Sequence, residues 1–436
     1  MIDMIKISLP FKTEFLLETS LKGDVSVAYV DIEECSRRGV SLEAKTVFFT
    51  GSVDGESKHE VSDLRHPYQS LPTSFTGMAF KIFQGTPLRP ACVELKASPA
   101  KILQGHNVYG SCSLELGSLE MIQALYHSLP DFFEMLDVAN TTLDSIDCTF
   151  SARVRSHDHV VQVIQQLKNV SNKQMRSSVR NEHETTCYFS RGSRHVDRKV
   201  YSKGDEFKRQ LRDLQSKSLK GDKTYQRVVD VMSDPKLQNF ARNLIRFEAS
   251  AKRRYLDSFN VPINLFKAIE FQKDYESQGN CLIVDIWKKA FNPLLEALEG
   301  QKMNIFNDAE VHNALKATHA SITPKGNVSY AKADRAFRLY RSMVSDGFDA
   351  VKSTFSSRAT FYRQLTLLLE AGFSKAQLQN LKGHGNDNVV PLLQVIEIDF
   401  QNQRPQGYVE PVPPIFNAYA TGDFDALNNV VNLKVA

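Results

Sequence analysis

The chain has 436 residues, 42% of them hydrophobic and 10% aromatic, which is enough apolar material for a sizeable core divided over two or three domains. Six scattered cysteines with no Cys-x-x-Cys pair argue against a zinc cluster or a disulfide framework, and the charged start Met1-Ile-Asp-Met-Ile-Lys6, with no long uncharged apolar run, argues against secretion or a membrane span. The net charge of +4 hides a basic island: Arg153 to Asp257 holds 24 Lys/Arg against 12 Asp/Glu, the footprint of a protein that neutralises phosphates.

Up to about residue 155 the pattern predicts short strands and turns, as in Val25-Ser-Val-Ala-Tyr29, Thr46-Val-Phe-Phe49, Met78-Ala-Phe-Lys-Ile82 and Cys92-Val-Glu-Leu-Lys96. Ser145-Ile-Asp-Cys-Thr-Phe-Ser151 alternates cleanly, so Ile146, Cys148 and Phe150 share one face and Asp147, Thr149 and Ser151 the other. Two further extended runs, Thr185 to Phe189 and Arg194 to Tyr201, flank Ser190-Arg-Gly-Ser193, which suits a hairpin turn. In the second run His195, Asp197, Lys199 and Tyr201 share a face.

After Gly204 the period lengthens, and Phe207, Leu211 and Leu214 mark an amphipathic helix with a basic outer side. Leu244 to Ser250 fits either period; read as a strand, it opposes Ile245 and Phe247 to Arg246 and Glu248. From Met303 onward the reading is helical, with a break at Gly372 and a new start capped by Ser374. Gln401 to Pro414, with four prolines and a glycine, reads as an extended connector.

Gly39-Val-Ser-Leu-Glu-Ala-Lys-Thr46 lacks the second glycine of a phosphate-binding loop and precedes a strand, so it is an accidental match. His157-Asp-His159 lies in a polar stretch and reads as surface, and His106 reads as a turn residue or a ligand. Lys199-Val-Tyr-Ser-Lys203 places a tyrosine near two lysines at a strand end within the basic island. A strand tyrosine is usually a packing residue, so this segment alone does not establish a nucleophile.

Several long segments together resemble the replication initiator encoded by gene II of filamentous bacteriophages. In the first half they include Met1-Ile-Asp-Met4, Ser70-Leu-Pro-Thr73, Lys96-Ala-Ser-Pro-Ala-Lys101, Leu103-Gln-Gly-His-Asn-Val108, Thr149-Phe-Ser-Ala-Arg153 and Asn169-Val-Ser-Asn172. In the second they are Arg246-Phe-Glu-Ala249, Ser277-Gln-Gly279, Met303-Asn-Ile305 and Asn388-Val-Val-Pro-Leu392. The resemblance spans essentially the whole chain. It implies an enzyme of the host cytoplasm that binds the double-stranded phage origin, nicks the viral strand, becomes joined to the 5′ phosphate, and later circularises the displaced single strand. The family's nucleophilic tyrosine follows a Ser-Arg-His segment, here Ser193-Arg-His195, which points to Tyr201. A phosphotyrosine stores the phosphodiester bond for rejoining, so no nucleotide-binding loop is needed.

The same resemblance implies Mg²⁺ or Mn²⁺, with Asp147 and Glu248 as candidate ligands or else surface carboxylates, and Lys203 as a phosphate-stabilising or merely exposed cation. Arg194, Arg198, Lys199, Lys252, Arg253 and Arg254 are candidates for the DNA backbone. Host replicative helicase and DNA polymerase are the implied partners, with no membrane. The expected class is α+β: an antiparallel-sheet core of nuclease type with helical additions and a mainly helical C-terminal region. The expected divisions are 1–150, a mostly β region contributing to the catalytic sheet; 151–302, basic, catalytic and DNA-binding; and 303–436, mainly helical, also made as a shorter protein from Met303. A non-catalytic origin-binding regulator is the competing reading.

Overall fold

The computed structural model describes residues 1–21, 25–44, 47–50, 58–61, 64–172, 175–176, 185–220, 225–298, 307–381 and 398–411. Eight strands form one antiparallel sheet: β1 (Ile2–Pro10), β2 (Gln69–Leu71), β3 (Met78–Phe83), β4 (Cys92–Ala97), β5 (Thr142–Arg153), β6 (Thr186–Phe189), β7 (Val196–Ser202) and β8 (Leu244–Lys252). Their order is β6-β7-β8-β5-β1-β4-β3-β2, so strands from either side of residue 150 belong to one sheet. The hairpin β6–β7 turns through Ser190 and Gly192, both at positive φ, where the sequence places its turn. Leu244 to Lys252 is a strand, because its alternating apolar residues can then join the face already set by β5.

The helices that matter here are α1 (His157–Lys168), α2 (Lys203–Leu219), α3 (Gln226–Met232), α4 (Pro235–Ala241) and α5 (Leu282–Leu298), followed by α6 (Asp308–His319), α7 (Ala331–Asp346), α8 (Phe348–Thr354), α9 (Arg358–Glu370) and α10 (Lys375–Gln379). One face of the central strands is dry. Ile146, Cys148 and Phe150 of β5 and Ile245, Phe247 and Ala249 of β8 are buried there beside Val160, Ile164 and Leu167 of α1. Trp287 of α5 closes this layer against Phe150, with ring centroids 5.6 Å apart, and its indole N–H donates to the Phe247 carbonyl at 2.9 Å. Full burial of each such side chain stabilises the fold by roughly 1.5–3 kcal/mol.

The C-terminal helices bury a separate cluster that includes Leu315, Tyr340, Met343, Phe361 and Leu368. Ser374 caps α10 in a capping box with Gln377, as its position before the helix predicts. Of the expected connector, residues 401–411 run back along the sheet. Just before it, Phe400 lies 5.0 Å from the Phe150 ring, and Gln403 bonds both the N–H and the C=O of Ser151 through its amide. Met303 to Ile305 and Asn388 to Leu392 lie outside the described residues.

Candidate active site

Directly opposed residues of an antiparallel sheet share a face, so the register of β7, β8 and β5 lays out three rows on the face away from Trp287. They are Asp197, Ser250 and Asp147; Lys199, Glu248 and Thr149; and Tyr201, Arg246 and Ser151. The alternation that buries Ile146 and Phe247 on one side therefore gathers acids, cations and a tyrosine on the other. A fourth strand adds Asp3. Pairing between β1 and β5 shifts register between Ile2 and Met4, and such a bulge re-aims the residue it contains.

The loop after the short helix Pro99–Gln104 encloses this face. Gly105 ends that helix at φ +81°, where glycine is favoured, and a side chain there would also approach the Phe75 ring to 3.0 Å. The turn directs Asn107 inward, where its amide N–H donates to Asp3 Oδ1 at 2.7 Å and its Oδ1 accepts from Lys203 Nζ at 2.7 Å. Lys203 also reaches Glu206 at 2.6 Å and is wholly buried. The Arg246 guanidinium, buried as well, donates to the carbonyls of Asn107 and Val108 and to Ser151 Oγ at 3.3 Å. A chain of polar contacts thus runs from Glu206 through Lys203 and Asn107 to Asp3.

The electrostatics follow from burial. Burial, and then the nearby Glu248 charge, raises the Asp147 carboxyl to about 7. Glu248 is raised by burial and then by Asp3. The Tyr201 hydroxyl is held well above the ordinary phenol value, first by burial and then by the Glu248 charge. Burial lowers Lys203 to about 8, while Lys203 overcomes the burial of Glu206 and brings that carboxyl down to about 2. His106 is buried and falls to about 4, through burial and then the charges of Lys203 and Arg246. Its Nδ1 accepts the Val108 N–H at 3.3 Å, so the neutral ring carries its proton on Nε2.

Lys199 Nζ lies 4.0 Å from the Tyr201 ring centroid and 3.9 Å from Glu248. Among the described residues, no three His, Cys, Asp or Glu side chains are arranged to hold a metal ion. The oxygen chemistry nevertheless fits a hard divalent cation: burial and the Glu248 charge raise Asp147, and burial and the Asp3 charge raise Glu248, so carboxylates gather here without a compensating cation for each. Directly opposite Glu248 and two residues along β5 from Asp147, Thr149 Oγ1 is buried with no hydrogen-bond partner among the described residues.

The structure brings Tyr201, Lys203, Asp147 and Glu248 into one site and distributes the six cations differently. Lys203 is neither exposed nor free for phosphate, because Asn107 and Glu206 occupy its ammonium. Arg198 lies between Val196 and Val200, on the apolar side of β7, and donates to the Ala290 carbonyl of α5. Lys252 bonds Asp197 at 2.8 Å and the Ser193 carbonyl, and Arg253 bonds Asp257 and the Leu143, Val261 and Pro262 carbonyls. Arg194 and Arg254 are exposed. His157 pairs with Asp205 at 2.9 Å and His159 Nδ1 with Ser156 Oγ at 2.8 Å, so the two histidines turn to different partners. Asp3 and Asn107 are the site residues that residue-by-residue reading did not single out. For Asp3 the available signal was an acidic side chain among the apolar residues Met1 to Ile5, whereas Asn107 lies in a polar turn that carries no such signal.

Residues 1–278 match the N-terminal family of the phage replication-associated protein, and residues 322–414 match its C-terminal family. The chain is 44% identical over 414 residues to the replication-associated protein of Enterobacteria phage M13, covering 94% of this chain and 99% of that one. The chain belongs to this replication-associated protein family. The Salmonella phage IKe member is 42% identical over 439 residues, covering the full length of both. In this family member the N-terminal match takes in the whole eight-stranded sheet, and the C-terminal match takes in most of the separate helical cluster. A solved rolling-circle replication initiator protein from Geobacillus stearothermophilus covers 59% of this chain and 76% of its own length at 8% identity, with a TM-score of 0.22. So loose a superposition supports nothing further. No helix among the described residues is long and apolar enough to cross a membrane.

Proposed function

We propose that this chain initiates and terminates rolling-circle replication of phage DNA by nicking the viral strand at the double-stranded origin and rejoining the displaced strand through a phosphotyrosine at Tyr201. The observation that carries this reading is the buried Tyr201 phenol on the polar sheet face shared with Glu248, Asp147 and Asp3, with Lys199 close to both the Tyr201 ring and Glu248, in a member of a replication-associated family. The phenol oxygen attacks the scissile phosphorus, the bond to the 3′ oxygen breaks, and the 5′ phosphate stays on the enzyme. The phenol proton leaves toward Glu248, and the departing 3′ oxygen takes a proton from water. Reversal of these steps by a free 3′ hydroxyl closes the circle without ATP.

Asp147 and Glu248, with Thr149 next to both, would hold Mg²⁺ or Mn²⁺. When bound, the ion supplies Lewis-acid stabilisation of the charge on the phosphate. Lys199, half-buried over the Tyr201 ring, is the cation that would meet a phosphate brought to that tyrosine. Lys203 acts as a positioning residue, holding Asn107 against Asp3. Arg194 and Arg254 remain as exposed cations for the DNA backbone. The reaction takes place in the host cytoplasm, where a host helicase and polymerase extend the new 3′ end.

The test is nicking of a supercoiled origin plasmid with Mg²⁺, comparing wild type with Tyr201→Phe. Loss of nicking and of 5′ attachment with origin binding retained supports the reading. A Tyr201→Phe protein that still attaches places the nucleophile elsewhere, and a wild type that only binds leaves a non-catalytic origin-binding regulator.

A further inference from the structure

Beyond the sheet face lies a second concavity, at the end where β7 leaves the sheet and β8 enters it. Its volume is about 630 Å³, within the roughly 300–1,000 Å³ usual for sites that enclose a small ligand. The floor is apolar: Phe207 and Ala241 are buried and Leu211 half-buried. Ser202, which follows Tyr201 in β7, belongs to the lining. Gly204 permits the depth at this end, since a side chain there would meet the Ala241 carbonyl at 3.2 Å.

The rim has a different character. Lys208, Arg212 and Arg242 are exposed there, and none forms an ion pair among the described residues. Asp205, the one carboxylate in the lining, is bonded to His157. Lys208 and Arg212 stand one turn apart on α2, and such a like-charged pair costs a helix about 0.2–0.5 kcal/mol. Two cations kept at that spacing over an apolar floor match successive phosphates along a strand whose unpaired base turns inward.

We infer that this cavity is a single-stranded DNA subsite: one unstacked nucleotide enters it, its base against Leu211 and Phe207 and its flanking phosphates on Lys208, Arg212 and Arg242. A duplex cannot insert a paired base into such a space, whereas the strand leading away from a nick can. The inference rests on the DNA-nicking reading in taking DNA as the ligand, but it does not need Tyr201 to react.

The experiment therefore uses the full chain carrying Tyr201→Phe and measures fluorescence anisotropy on labelled single-stranded and duplex oligonucleotides over a salt series. Lys208→Gln with Arg212→Gln should weaken single-strand binding about tenfold near 0.15 M salt. It should also lower the log–log salt slope by about 1.4, at ~0.7 per lost phosphate contact. Arg209→Gln with Lys217→Gln removes the same charge from the same helix outside the cavity and should change binding less than threefold. An abasic strand should bind more weakly than its base-containing counterpart. Equal losses in the two double variants, equal losses for duplex and single strand, or an abasic strand bound as tightly would overturn the inference. Should the wild-type chain never attach to DNA while these differences persist, the subsite stands and the phosphotyrosine reading fails.

Discussion

The two faces of β7, β8 and β5 are built from alternate residues of the same three strands, yet they do opposite work. The face under Trp287 is dry, with aromatic rings in edge-to-face contact and its indole N–H satisfied by the Phe247 carbonyl. The other face holds Asp3, Asp147, Glu248, Lys203 and Arg246, several of them with pKa values displaced by burial. The contrast separates what keeps the sheet folded from what the sheet presents. Apolar packing on one side supports a cluster of charges on the other that would not persist by itself.

Substitutions on each face should break or sharpen this contrast. The largest stability effect belongs to the dry face. Trp287→Ala should cost about 3–5 kcal/mol by urea unfolding, because the emptied space cannot collapse against a sheet. Next comes Glu206→Gln, which leaves the buried Lys203 ammonium uncompensated and should cost about 3 kcal/mol at neutral pH. Its sign with pH is set by the lowered carboxyl. The stabilisation is full above the unfolded value near 4.3 and disappears as pH falls toward 2, so wild type and variant should converge in acid.

Asp147→Asn should act in the reverse direction. With the folded carboxyl at about 7 and the unfolded one near 3.9, wild-type stability contributed by this group is present below pH 4 and lost as pH rises through 7. The metal-free variant should therefore be more stable than wild type by about 1–2 kcal/mol at pH 8, with little difference at pH 4, as judged by thermal melts at the two pH values. Arg194→Gln should have the smallest effect on folding, within about 0.5 kcal/mol, and should lower the salt slope of origin binding by about 0.9.

Much of this arrangement was legible in the residues. Strict alternation from Ser145 to Ser151 assigned Asp147 to the polar face, and the Ser190 to Ser193 turn fixed the hairpin that carries Tyr201. The same alternation was enough to put Arg198 with Val196 and Val200, where it bonds α5 instead of facing outward. What alternation does not reveal is contact across long separations. Asp3 enters the site through a bulge in β1, and Asn107 through a loop whose Asn107 and Val108 carbonyls are held by Arg246, more than a hundred residues away in sequence. Lys203 was legible as a lysine beside Tyr201 at a strand end but not as a buried one, because its burial depends on Asn107 and Glu206 closing over it. The cavity beside α2 depends likewise on the approach of α4 to that helix, which no local pattern encodes.

The claim at the centre of this account is the bond between Tyr201 and DNA. It is tested most directly by incubating the full chain with Mg²⁺ and a nicking substrate, digesting the trapped complex, and locating the nucleotide-bearing peptide by mass spectrometry. The account predicts a phosphodiester-linked nucleotide on Tyr201, absent from the Tyr201→Phe protein. An adduct on any other residue, or nicked DNA with no adduct on the protein, would contradict it.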